Sequence, residues 1–239
     1  MYIYYSEIKA VVFDIGQTLV HYPFPLNWSA LYRPAFESIA EEYQLTIKEV
    51  EYEHIGNVLT KYNTRINPRE LEVSSTEIFT EILEGTSIPK SYLKGIKKSF
   101  YSYFCREAQL YPEVEETLRE IKSKKILIGT LSDVAYGMDN VYALNDIKDI
   151  LKYVDFPYTS NDTKYRKPSG KGLSLLAEKM NLSVSEIIFV GDEKKDIECA
   201  HNAGARAVLV NRTGEIKEYG EEIQITSLYD ILDYLENNL

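Results

Sequence analysis

Short, strongly apolar runs open the chain and return only in its second half. Ile8-Lys9-Ala10-Val11-Val12-Phe13 ends at Asp14 and Gly16, and similar runs follow at Ile126–Leu131, Ile187–Val190 and Ala207–Val210. Each is too short for a stable helix and rich in β-branched residues, so each predicts a buried strand closed by a turn. A weaker run, Tyr153–Thr159, is interrupted by Pro157. Between these runs the apolar positions change period. Val114, Leu118 and Ile121 follow Pro112 at helical spacing, and Gly172–Met180 and Lys194–Ala203 predict two more helices, the last stopped by Gly204. Leu228–Leu239 predicts an amphipathic closing helix. Strands alternating with helices predict an α/β fold, a Rossmann-like, doubly wound parallel sheet.

The interval from Tyr22 to Leu110 lacks the strand signal but keeps the helical period. It predicts helices over Ser29–Tyr43, Thr46–Tyr62, Ser74–Leu83 and Pro89–Arg106. Thr46 with Glu49 and Ser74 with Glu77 have the spacing of capping boxes, and Pro34 weakens the first helix or marks its opening turn. The expected organisation is a catalytic core from residues 1–21 and 111–239, with an α-helical domain inserted at 22–110.

Composition narrows the function. Hydrophobic residues make up 44% and charged residues 27%, as in an ordinary globular protein. No apolar run approaches the roughly 18 residues of a membrane span. The first residues lack a basic segment followed by an apolar one, so no secretory signal is expected. Cys105 and Cys199 have no metal-ligand spacing, which points to a reduced, cytoplasmic protein. A net charge of −10 argues against nucleic acid or an anionic membrane as partner. It also means that a phosphate ligand would need a local cation.

Ligands of parallel α/β sheets bind beyond the carboxyl ends of the strands. The first predicted strand ends in Asp14-Ile15-Gly16-Gln17-Thr18, the next in Ser132-Asp133, and another in Gly191-Asp192-Glu193, with Asp196 four residues after Asp192. Lys167-Pro168 opens a predicted helix between the last two. Asp14 and Asp192 converging on one point are unfavourable unless a divalent cation lies between them, and oxygen ligands with room for water and phosphate suit Mg²⁺. Ser132 and its neighbouring amides can hold a phosphoryl oxygen, Lys167 can neutralise charge, and an Asp14 oxygen can attack phosphorus. Asp196 would orient the ligands or Lys167 from behind. Taken singly, each residue reads better as a turn, a cap or a solvated lysine than as a site residue; the ordered set carries the functional reading.

These segments resemble the four motifs of the haloacid dehalogenase superfamily. Phe13-Asp14-Ile15-Gly16-Gln17-Thr18-Leu19 is similar to the first, Leu131-Ser132-Asp133 to the second, Tyr165-Arg166-Lys167-Pro168 to the third, and Val190-Gly191-Asp192-Glu193-Lys194-Lys195-Asp196 to the fourth. The resemblance implies a phosphatase-like member with Asp14 as nucleophile and Ser132, Asp133 and Lys167 binding substrate. Asp14, the Gly16 carbonyl and Asp192 would hold Mg²⁺, with Thr18 and Asp196 supporting them. The insert between the first two motifs resembles a C1-type cap, and the short stretch before the third leaves no room for a large second one.

One departure matters. Phosphatases of the family carry a second aspartate, a general acid and base, two residues after the nucleophile, where this chain has Gly16. No aspartate occurs from Ile15 to Ser132, and the only histidines are His21, His54 and His201. His21 is the best placed substitute, given the usual titration of imidazole near neutrality. A cap glutamate, a metal-bound water, or a leaving group that needs no proton are the other options. The expected function is Mg²⁺-dependent hydrolysis of a small phosphorylated metabolite by a monomer or homodimer. The alternatives are a C–P or C–halogen hydrolase, with Lys48 and Lys61 as candidates for a phosphonatase lysine, or a phosphate-binding regulatory protein with little turnover.

Overall fold

The computed structural model describes residues 7–23, 28–105 and 108–237. In chain order the strands are β1 (Ala10–Phe13), β2 (Val20–His21), β3 (Gln109–Leu110), β4 (Leu127–Ser132), β5 (Phe156–Thr159), β6 (Ile187–Gly191), β7 (Arg206–Val210) and β8 (Ile223–Ile225). The helices are α1 (Trp28–Glu42), α2 (Glu49–Tyr62), α3 (Ser75–Glu84), α4 (Leu93–Phe104), α5 (Val114–Ser123), α6 (Asn140–Ala143), α7 (Ser160–Thr163), α8 (Lys171–Met180), α9 (Lys194–Ala203) and α10 (Asp230–Glu236). None is long and apolar enough to cross a membrane.

The expected parallel sheet is present. Among the described residues it has six strands in the order β5-β4-β1-β6-β7-β8, every neighbouring pair parallel. Strand alternation sends Ala10, Val12, Leu131, Ile187, Phe189, Ala207 and Leu209 to one face, where they join a buried cluster with Leu173, Leu176, Ile197 and Ala200 of α8 and α9. Val11, Phe13, Ile188 and Val190 therefore face the other way and are fully buried, on the side where α5 packs against β4 and α10 against α5. Covering both faces explains why the central strands read as continuous apolar runs rather than as alternating ones.

The chain separates into two compact units. The sheet unit comprises 1–21, 109–133 and 147–239; the helical unit comprises 22–108 and 134–146. Residues 134–146 are thus a correction to the expected boundary, which left them in the core. Polar and apolar contacts account for it. The Tyr101 hydroxyl donates to the Tyr136 carbonyl (2.8 Å), and the Ser75 hydroxyl donates to Asp139 (2.8 Å), which also pairs with Lys97 (3.1 Å). Val134, Tyr136 and Met138 enter the aromatic core of the helical unit beside Phe79, Phe100 and Phe104. The other boundary moves because β3 pairs antiparallel with β2, Val20 opposite Leu110 and His21 opposite Gln109.

Within the helical unit α1 runs through Pro34. The Ser74 hydroxyl accepts the Glu77 amide (3.2 Å), as expected of that cap. The Thr46 cap does not form. The helix begins at Glu49, and the Glu51 carboxylate accepts the Lys48 amide (2.7 Å), because Ile47 is drawn into the packed core. A 3₁₀ turn at Lys90–Tyr92 precedes α4, and Arg106, the expected end of that helix, lies outside the described residues.

Candidate active site

Asp14 follows β1, whose neighbours are β4 on one side and β6 on the other. Phe13 is in register with Thr130 and Val190, so Ser132, the last residue of β4, and Asp192, the first after β6, lie one residue beyond the level of Asp14. The Asp14 amide donates to the Val190 carbonyl (2.9 Å), which stitches the end of β1 to that of β6. Three strand ends therefore bring their polar residues to one edge of the sheet.

Lys167 is the centre of the charge arrangement. Its side chain is 2% exposed, with Nζ 2.7 Å from Asp14 Oδ1 and 2.6 Å from Asp196 Oδ1. Burial disfavours its charge, but Asp14, Asp196 and Asp133 outweigh that cost and hold its pKa well above the ordinary lysine value. Lys167 is therefore a fixed cation. Asp196, fully buried, spends its other oxygen, Oδ2, on the Asp192 and Glu193 amides (3.1 and 2.9 Å). It supports the base of α9 and pairs with the lysine. Gly191 is what lets it in: a Cβ there would lie 2.4 Å from the Cβ of Asp196.

One cation does not balance the site. Asp14, Asp192 and Asp196 can bring carboxylate oxygens within 4.8 Å of one another. Burial, followed by the charges of Asp14, Asp196 and Glu193, pushes the Asp192 carboxyl up to about 7. Burial is the larger cause and the neighbouring carboxylates add to it; a divalent cation held by these oxygens would relieve the repulsion among them. The residues present fit such an ion.

The remaining expected residues fall in distinct places. The Thr18 hydroxyl, fully buried, lies 3.4 Å from Asp192 Oδ1. Asp133 Oδ1 accepts the Lys167 amide (3.1 Å) and its Oδ2 lies 3.6 Å from Arg166, so it fixes the lysine loop. Gly16 is half-exposed, and a Cβ built on it meets nothing within 4 Å. His21 lies on β2 with its ring 5.0 Å from the Tyr111 ring. Arg166, within the third motif-like segment, was given no role there, and Arg212 escaped the sequence reading. Arg212 could have been found, because it follows β7 at the same carboxyl edge.

Sheet topology and this lysine-neutralised acidic edge place the chain among α/β hydrolytic enzymes. It belongs to the haloacid dehalogenase-like hydrolases, whose family pattern matches residues 11–210. Its relatives include a phosphoglycolate phosphatase of Escherichia coli, 29% identical over 93% of this chain and 87% of that one. A ribulose-1,5-bisphosphate 5-phosphatase of Halopiger xanaduensis is 27% identical over 86% of each. Among solved structures, the 2-haloacid dehalogenase of Pseudomonas syringae superposes with a TM-score of 0.69 at 20% identity, over 96% of this chain and 99% of that one, a likeness of fold.

Proposed function

We propose that the chain is a Mg²⁺-dependent phosphohydrolase of small phosphorylated metabolites that works through an aspartyl-phosphate on Asp14. The observation that carries this reading is the ion pair of Asp14 with fully enclosed Lys167 beside the reluctant carboxyl of Asp192. Phosphatases among the relatives support it. Asp14, Asp192 and the Gly16 carbonyl would hold the ion, which supplies positive charge for a bound phosphate. Lys167 holds the Asp14 carboxylate in place through their 2.7 Å ion pair. Asp14 attacks phosphorus as the bond to the leaving oxygen breaks, and that oxygen takes the electron pair. Water then displaces phosphate and frees Asp14. Ser132 and its amides would bind phosphoryl oxygens, and the helical unit would act as the cap that selects the substrate. The test is release of inorganic phosphate from p-nitrophenyl phosphate and from a panel of phosphorylated metabolites. Activity should require Mg²⁺ and vanish with EDTA; equal rates under both conditions would remove the metal-dependent reading.

The leaving group is the weak point of this site. No carboxylate stands at position 16, and the His21 ring packs 5.0 Å from the Tyr111 ring. The reaction should therefore favour leaving groups that depart unprotonated. Gly16→Asp is expected to fold, since the added side chain enters open space. It should raise kcat on alkyl phosphates by at least about tenfold, a fraction of the 10²–10⁴ that general acid–base help supplies, and change p-nitrophenyl phosphate much less. A uniform change across leaving groups would count against a missing acid.

A further inference from the structure

We infer that Arg212 is a positioning residue of this site, clamping from β7 the loop that carries Asp14, Gly16 and Thr18. The inference rests on the Mg²⁺ reading above and extends it to a residue outside the four motif-like segments.

The loop from Asp14 to Val20 closes on itself, with the Gln17 amide donating to the Val20 carbonyl (2.7 Å) and Gly16 bridged to Val20. Gly16 has no side chain, and glycine loses more backbone freedom on ordering than any other residue. Gln17 sits at φ +56°, a left-handed conformation that a side chain adopts only at some cost. Backbone bonds from Leu19 and Val20 to the Ile15 carbonyl (2.9 and 3.1 Å) close the turn, but they leave the Thr18 carbonyl to find a partner elsewhere.

Arg212 supplies it. One guanidinium nitrogen, Nη2, donates to the Thr18 carbonyl (3.2 Å), and the other, Nη1, pairs with Glu113 (2.6 Å). The flat of the guanidinium lies 3.7 Å from the centroid of the Tyr111 ring. Tyr111 itself touches the loop twice: its amide donates to the Leu19 carbonyl (3.1 Å) and its hydroxyl to Gln17 (3.2 Å). Arg212 is in turn held by its neighbour Asn211, which is 3% exposed and bonds Gln224 and the Glu215 carbonyl (2.9 and 2.7 Å).

Thr18 is the residue on which this converges. Its carbonyl is tied to Arg212, and its hydroxyl points to Asp192 (3.4 Å). A fork that donates in two directions while stacking on a ring is a task for arginine that lysine cannot perform. Losing it frees the loop on the side of Asp192, where Asp14 and Gly16 would have to meet the ion.

The test compares Arg212→Ala and Arg212→Lys with wild type by calorimetric titration of Mg²⁺ and by thermal unfolding. Loss of a group that orients metal ligands typically weakens affinity about 10- to 100-fold, and both variants should fall in that range. The apparent KM for Mg²⁺ should rise in parallel, and kcat at saturating Mg²⁺ should change less. Lysine should not restore affinity. A lowered Tm with wild-type Mg²⁺ affinity in either variant would show a merely structural role and overturn the inference. Wild type that binds no Mg²⁺ would instead overturn the metal reading, and this inference with it.

Discussion

Asp14→Asn is expected to fold normally and to lose Mg²⁺-dependent phosphate release by roughly 10⁴-fold or more, the scale seen when a covalent nucleophile is removed. Asparagine matches the shape of aspartate, and Lys167 keeps Asp196 at 2.6 Å, so the buried lysine is not stranded. The amide cannot form the acyl phosphate, and the site also loses one of its three clustered carboxylates. Two measurements separate these effects. Acid-quenched intact mass during turnover should show a phosphoryl adduct on wild type and none on the variant. Raising Mg²⁺ should not rescue the variant, since what it lacks is the attacking oxygen. Equal rates for the two proteins would remove Asp14 as nucleophile.

Lys167→Met carries the second large effect, on stability as well as rate. Removing one partner of a buried ion pair costs about 3–5 kcal/mol, because the other charge stays buried without its partner. At 2–4 °C per kcal/mol this is roughly 6–20 °C in Tm. The sign with pH follows from the two groups. The pKa of Lys167 is raised in the folded protein, so its contribution is complete below the ordinary lysine value of 10.5 and is lost only above it. The Asp192 carboxyl holds its proton up to about 7 when folded, against 3.8 as an ordinary aspartate. The folded state therefore binds the extra proton across that window, and metal-free stability falls as pH rises through it. Without the lysine this fall should steepen, so the deficit of Lys167→Met should be larger at pH 8 than at pH 5. Saturating Mg²⁺ should recover part of it at pH 8 and little at pH 5. A deficit that is the same at both values and indifferent to Mg²⁺ would mean that the three carboxylates are not coupled through Lys167.

Arg212 and residues 134–146 show where reading the chain stops short. The strand ends bearing Asp14, Ser132 and Asp192 were visible because buried parallel strands announce themselves as apolar runs, and their first polar residues must emerge at one edge. Asp196 stands four residues after Asp192, in the first turn of α9. Arg212 follows an equally clear strand, but its value depends on Glu113 and Tyr111, about a hundred residues away in sequence. Thr46 has the spacing of a cap, but Ile47 packs against the helical core and the helix starts at Glu49. Residues 134–146 have no periodicity of their own, and their place comes from the hydroxyls of Tyr101 and Ser75 and the charge of Lys97.

From sequence alone, the period of the apolar residues determined the parallel sheet, the helical insert and the chemical character of the edge at Asp14. Local covalent order suffices for that, since a strand's period and its first polar residue lie within a few positions of each other. Only the tertiary structure decided which charges meet: Lys167 between Asp14 and Asp196, Asp133 turned to the lysine loop, Thr18 held between Asp192 and Arg212. Those pairings follow from strand order and from which side chains share a buried space, and both are properties of the closed fold.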